Sequence, residues 1–143
     1  MATSLKLTVL TPEKRVVESV EVQLATLPTS EGQIQVLPGH TAMVGFLAPG
    51  VCNWVPSESS RSVGAVSFGF FEVKGQELTV LAETFEQPKD VNLDRARSAQ
   101  SRAEQALGAG SGDWTGFRKQ ELKLQRALIR QQVARHLAGS AEE

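Results

Sequence analysis

The sequence predicts an antiparallel β domain followed by an antiparallel pair of helices, and three observations predict it. Residues 1–88 hold short runs in which apolar and polar residues alternate. Turn-forming residues recur between those runs. From residue 89 the apolar spacing becomes helical, with one glycine-rich break.

The strand signals come first. Leu5, Leu7 and Val9 alternate with Lys6 and Thr8; Val20, Val22 and Leu24 alternate with Glu21 and Gln23; Leu78, Val80 and Ala82 alternate with Glu77 and Thr79. A period of two marks a strand with one buried face. Thr11-Pro12-Glu13, Ser30-Glu31-Gly32, Pro38-Gly39, Pro49-Gly50 and Lys74-Gly75 supply the turns. Many short strands at regular spacing, with no helices between them, point to an antiparallel sandwich or barrel and away from parallel βαβ units. Gly64, Gly69 and the Phe68, Phe70, Phe71 cluster predict a bent, tightly packed strand in the core.

The domain boundary falls near Pro88. Asp90 or Asn92 caps a helix running to about Leu107. Leu93, Ala96, Ala99, Ala103, Ala106 and Leu107 share one face, and that face is mostly alanine, so another helix can approach closely. Gly108-Ala-Gly-Ser-Gly112 ends this helix, and Asp113 caps the next, which runs from about Trp114 to Leu137. Its apolar side is expected to hold Leu122, Leu128, Ile129 and Val133, widened by Trp114, Phe117 and Leu124. A short connection makes the pair an antiparallel hairpin. Two helices alone form a thin core, so this hairpin needs something to lie on and is expected to be mobile.

Composition excludes several function classes. Of 143 residues, 41% are hydrophobic and 22% charged, as in ordinary globular chains. A net charge of −1 argues against a nucleic-acid binder. The two halves differ in sign: residues 1–88 carry 9 acidic and 5 basic residues, residues 89–143 carry 7 and 10. Different partners for the two halves follow. The single cysteine, Cys52, excludes an internal disulfide and a cysteine-based zinc cluster, and is expected to be a packed thiol in a reducing compartment. Two histidines are too few for a His-rich metal site. No apolar run approaches the ~18 residues of a membrane span, and the alternating start argues against an export signal.

The chain resembles one family along nearly its whole length. Ser30-Glu31-Gly32, Leu37-Pro38-Gly39-His40 and Leu47-Ala48-Pro49-Gly50 resemble the loop signature of the ε subunit of bacterial and chloroplast F-type ATP synthases. Phe70-Phe71-Glu72-Val73 and Leu78-Thr79-Val80-Leu81-Ala82-Glu83-Thr84 resemble its last strands, and Leu93-Asp94-Arg95-Ala96-Arg97 the start of its helical hairpin. The specificity lies in the order and spacing of these pieces. The resemblance implies a flattened antiparallel β-sandwich of about ten strands (residues 1–88) and a C-terminal two-helix hairpin (89–143). It implies a rotor subunit without catalysis of its own. The sandwich of such a subunit binds the γ subunit and sits on the ring of c subunits. The hairpin lies on the sandwich or extends into the α/β catalytic head, where it inhibits ATP hydrolysis. The place implied is peripheral, on the cytoplasmic face of a bacterial plasma membrane or the stromal face of a thylakoid, without membrane insertion.

Candidate sites follow from both readings. Glu31 and His40 lie in turns, and no nucleophile stands beside them to make an acid–base pair useful; the resemblance makes them contacts to the c ring. Leu93, Asp94 and Arg97 resemble the motif with which some bacterial members bind regulatory ATP, although Ser98 stands where the motif has alanine. Cations suit phosphates, and Arg126 and Arg130 would add contacts. The alternative is a helix-start acid with solvated arginines. No phosphate-binding glycine loop is present, so hydrolysis by this chain is not expected. Lys119, Lys123, Arg126 and Arg130 form a basic stripe on the second helix, either a solvated face or a contact to an acidic protein partner such as the catalytic β subunits. No cofactor other than regulatory ATP and no metal are expected. Phe68 departs from the family, which often has paired glycines there. The competing function is a free-standing β-sandwich binding module with a helical dimerisation tail, but the chain has no Tyr and only two Trp to stack on sugars.

Overall fold

The computed structural model describes residues 4–56, 60–110 and 113–140. The chain forms two compact units that divide between Phe85 and Glu86. The first contains strands β1 (Leu5–Leu10), β2 (Arg15–Thr29), β3 (Gly32–Val36), β4 (Met43–Leu47), β5 (Gly50–Pro56), β6 (Ser62–Val66), β7 (Gly69–Lys74) and β8 (Glu77–Ala82), with β9 (Phe85–Glu86) at its end. The sheet order is β1-β8-β7-β4-β2-β5-β6-β9, with β3 also on β2 and β1 also on β2. The nine strands described are close to the ten expected.

The long β2 organises this arrangement. Its first half pairs with β1 (Leu7 opposite Val20), and its second half with β3 (Leu27 opposite Ile34) and β5 (Ala25 opposite Trp54). Because β1 also pairs with β8, strands β1, β8, β7, β4 and β2 close on themselves. The antiparallel pattern is broken between β1 and β8, which run parallel, Leu7 beside Leu78 and Val9 beside Val80. Alternation cannot reveal strand direction, since side chains point the same way in either ladder.

Alternation places the core. Leu5, Leu7, Val9, Val22, Leu27, Val36, Phe71, Leu78 and Val80 are fully buried in one cluster. Cys52 joins them, and burial pushes its thiol up to about 12, so it stays protonated and unreactive at neutral pH. The predicted Phe68–Phe71 core strand is corrected in part. Only Phe71 is inside; Phe68 precedes β7, and both it and Phe70 face solvent.

Gly69 is required by close backbone approach. A Cβ there would stand 2.1 Å from the Leu81 carbonyl oxygen and 2.8 Å from the Ala82 Cα, and no rotamer change relieves a clash with backbone. Gly69→Ala is therefore expected to destabilise the sandwich by about 3 kcal/mol. A fall of roughly 10 °C or more in the thermal midpoint would show it.

The second unit holds a 3-10 turn at Pro88–Asp90 and two helices, α1 (Leu93–Gly108) and α2 (Trp114–Ser140). Asn92 caps α1, its side-chain oxygen accepting from the Arg95 N–H at 3.1 Å. The other predicted cap, Asp90, instead accepts from the Gln87 N–H. Asp113 accepts from the Gly116 N–H at 2.6 Å. Ser111 and Gly112 of the predicted break lie outside the described residues.

The hairpin buries small residues. Ala96 and Ala103 on α1 are buried, as are Ala127, Gln131 and Val133 on α2. The Gln131 amide Nε2 donates to the Gln100 Oε1 at 2.6 Å, so a buried polar group finds its partner across the pair. The expected apolar side of α2 is corrected: Val133 is inside, but Trp114, Phe117 and Leu128 are exposed. Leu128 follows Ala127, and one residue turns a helix by ~100°, which carries it off the buried face.

Candidate functional site

The sandwich exposes an apolar face. Strands β4 and β7 pair with Gly45 opposite Phe71, Phe46 opposite Phe70 and Val44 opposite Glu72. The first pair faces the core. Gly45 is there because a Cβ would lie 2.5 Å from the Phe71 ring. The other two pairs face out: Phe46 is 78% exposed, Val44 69% and Phe70 44%. Beside them Phe68, Gly69 and Phe70, with the Leu10–Arg15 turn and Leu81–Glu83, line a mainly apolar groove of about 740 Å³. Exposed aromatic rings fixed on paired strands make this face a candidate interaction surface.

Sequence reasoning missed this face, yet a signal was present. Met43-Val-Gly-Phe-Leu47 is a continuous apolar run rather than an alternating one. Such runs belong to strands covered on both sides.

Glu31 and His40 flank β3. Glu31 is exposed in the β2–β3 turn, where its N–H donates to the Thr29 hydroxyl oxygen and Gly32 takes φ +117°. His40 is half-buried in the loop after β3, its Nδ1–H donating to the Thr41 carbonyl at 2.7 Å. No hydrogen bond joins the two side chains among the described residues, and each belongs to its own loop.

The second unit contains a polar cavity of about 250 Å³. Arg95 and Arg102, two turns apart on α1, and Arg130 on α2 line it with Glu86, Asp90 and Asn92. One Glu86 oxygen, Oε1, accepts from both the Arg130 Nε and Nη2 at 2.8 Å. Three guanidiniums against two carboxylates give a site suited to a phosphate group, which planar N–H donors grip in pairs. Of the residues predicted for nucleotide, Arg130 lines this cavity. Leu93, Asp94, Arg97 and Arg126 do not, and the last three are exposed. Arg95 and Arg102 were passed over, although a separation of seven residues puts them on one helix face.

The basic stripe is open. Lys119, Lys123 and Arg126 are exposed and have no ion pair among the described residues. Arg130 is held by Glu86, and the neighbouring Arg118 pairs with Glu121 at 2.8 Å. No described helix is long and apolar enough to cross a membrane, and no described group of acidic, His or Cys side chains is placed to hold a metal ion.

Comparison with known proteins covers both units. Residues 4–88 match the family model described as ATP synthase, Delta/Epsilon chain, beta-sandwich domain. Residues 89–135 match its long alpha-helix domain. The ATP synthase epsilon chain of Geotalea uraniireducens is 40% identical over 134 residues, covering 94% of this chain and 96% of that one. That of Halalkalibacterium halodurans is 37% identical over 131 residues, covering 92% and 97%. Among solved structures, a chain of the Euglena gracilis mitochondrial ATP synthase (OSCP, F1 and c-ring) superposes with a TM-score of 0.78 at 21% identity, over 87% of this chain and 78% of that one. A chain of the Tetrahymena thermophila central stalk and c-ring gives 0.61 at 13% identity, over 93% and 98%. These two likenesses are of fold.

Proposed function

We propose, since this chain belongs to the ATP synthase delta/epsilon family and is an epsilon subunit, that it works as a non-catalytic part of the rotor, joining γ to the c ring and braking ATP hydrolysis with its hairpin. The observation that carries the reading is the outward Phe46–Phe70 pair. A rotor subunit has to hold its neighbour firmly, and rigid aromatic side chains on a sheet do so with little ordering cost. On this reading γ covers the β4–β7 face and the adjoining groove. Glu31 and His40 meet the polar loops of the c ring. The hairpin, when extended, brings Lys119, Lys123 and Arg126 to acidic segments of the catalytic head. The place of work is peripheral, on the cytoplasmic or stromal membrane face.

The test is add-back of the chain to an F-type ATPase stripped of its epsilon subunit. The chain should co-sediment with the complex and restore coupled, proton-driven synthesis. A chain that neither binds nor couples removes the reading.

Regulatory ATP belongs to the same proposal, at the Arg95, Arg102, Arg130 cavity. Its phosphates would take over guanidinium contacts that Glu86 now makes. Replacing Arg102 and Arg130 by alanine should weaken ATP binding to the isolated chain by at least about a hundredfold, since each charged hydrogen-bond partner is worth ~1.5–3 kcal/mol. Titration calorimetry checks this. No binding by the parent chain would remove the nucleotide from the proposal and leave the rotor role standing.

A further inference from the structure

The two helices meet along a seam of small residues. On α1 its centre is Ala96, Gln100 and Ala103; on α2 it runs through Leu124, Ala127, Gln131 and Ala134. All are buried or half-buried, and the spacings alternate between three and four as in a coiled coil. An amide pair stands in the middle. Gln131 is 5% exposed, and its Nε2 donates to the Gln100 Oε1 at 2.6 Å. Among the described residues of the two helices, no other buried side chain is polar.

The second helix carries another stripe that it leaves unused. Phe117, Leu124, Leu128 and Gln131 follow at spacings of seven, four and three. At ~100° per residue the centres of the two stripes differ by about 50°, so a small turn of α2 about its axis exchanges one for the other. The unused stripe offers Phe117 and Leu128 where the seam has Ala127 and Ala134. Burial of apolar area alone therefore favours the stripe left outside, yet Phe117 is 41% exposed and Leu128 46%.

The amide pair opposes that turn. Rotating α2 by about 50° would carry the Gln131 side chain about 5 Å sideways, out of reach of Gln100. A buried amide would then lack its partner. Alanines are alike at every turn and discriminate weakly between facings, whereas a hydrogen bond is directional.

We infer that Gln100 and Gln131 are positioning residues whose hydrogen bond selects the face of α2 that lies on α1, holding the small-residue seam inside and Phe117 and Leu128 outside. A polar pair in such a seam costs stability and confers a single arrangement. Arg130 precedes Gln131, so the same bond aims its guanidinium at Glu86 and sets one wall of the polar cavity.

The test compares the full chain with Gln100→Leu, Gln131→Leu and the double variant. Hydrogen exchange and hydroxyl-radical footprinting are both read by mass spectrometry. Gln100→Leu strands the Gln131 amide away from water, so opening of α1 and α2 should become at least about fivefold more frequent. Gln131→Leu should do less, because Gln100 is half-buried and its amide can turn to solvent. The double variant strands no amide, and its exchange should be as slow as that of the parent. Its footprint should nonetheless change: oxidation of Phe117 and Leu128 should fall several-fold as α2 turns them inward. Trp54, 3% exposed in the sandwich, should stay protected throughout and shows that the first unit is folded. Unchanged oxidation of Phe117 and Leu128 in the double variant overturns the inference, since the seam would then be chosen without the amides. So does rapid exchange along both of its helices, which would make the pair a source of stability and not of facing. None of these readouts involves ATP or the assembled enzyme, so the rotor and nucleotide readings stand or fall separately.

Discussion

A chain ending at Gln87 is expected to bind an epsilon-depleted F-type ATPase as the full chain does, but to leave ATP hydrolysis faster by about tenfold, equivalent to ~1.4 kcal/mol of braking. The structural basis is the independence of the first unit. Every residue of its buried cluster, from Leu5 to Phe85, precedes the cut. Removing α1 and α2 takes away no strand and no member of that cluster. Steady-state hydrolysis by the reconstituted complex is the measurement, with co-sedimentation as the check on binding. Equal rates for two chains that both bind would show that this hairpin is no brake. The rotor role would then consist of coupling alone.

Phe46→Glu combined with Phe70→Glu should abolish assembly while leaving the sandwich folded. Both rings face out, so the carboxylates are solvated in the free chain, and its thermal midpoint should fall by only a few degrees, the like charges standing opposite each other on β4 and β7. In the assembled complex the same carboxylates would be desolvated against an apolar partner. Each unpaired charge costs several kcal/mol, so affinity should fall by at least about a thousandfold. Co-sedimentation with the depleted enzyme measures it. Phe71→Ala separates a surface effect from a folding effect. It empties a fully buried site and should cost about 3–5 kcal/mol of stability. Normal binding by the double glutamate variant would place the partner on some other surface.

The division into strands and then helices was legible because two different periods occupy two different stretches. Both helices stand where capping residues and the glycine-rich break put them. Three features were not legible. The parallel β1–β8 pair was hidden because alternation reports which face a residue takes and says nothing of strand direction. The outward Phe46–Phe70 pair was hidden because an apolar residue within a core strand is assigned to the core, unless its parity relative to Phe71 is noted. The cavity arginines were hidden by resemblance itself. Asp94 and Arg97 matched a motif, whereas the fold brings Arg95 and Arg102 towards Arg130. A linear motif names neighbours along a helix; a site is made by residues that share one of its faces.

The β1–β8 pairing also fixes when the sandwich can first exist. The opening strand of the chain is held between β2 and a strand that ends at Ala82, so most of the first unit has to emerge from the ribosome before β1 gains its second neighbour. Until then β1 and β2 can form only an incomplete sheet with a bare edge, the kind of nascent species that chaperones shield and that aggregates when they do not. A stretch of chain behind the growing point is always held inside the ribosome, so by the time β8 emerges α1 has already been synthesised. Closure of the sandwich therefore coincides with synthesis of α2, and a translational pause within α2 would give the sheet time to close before the helices emerge.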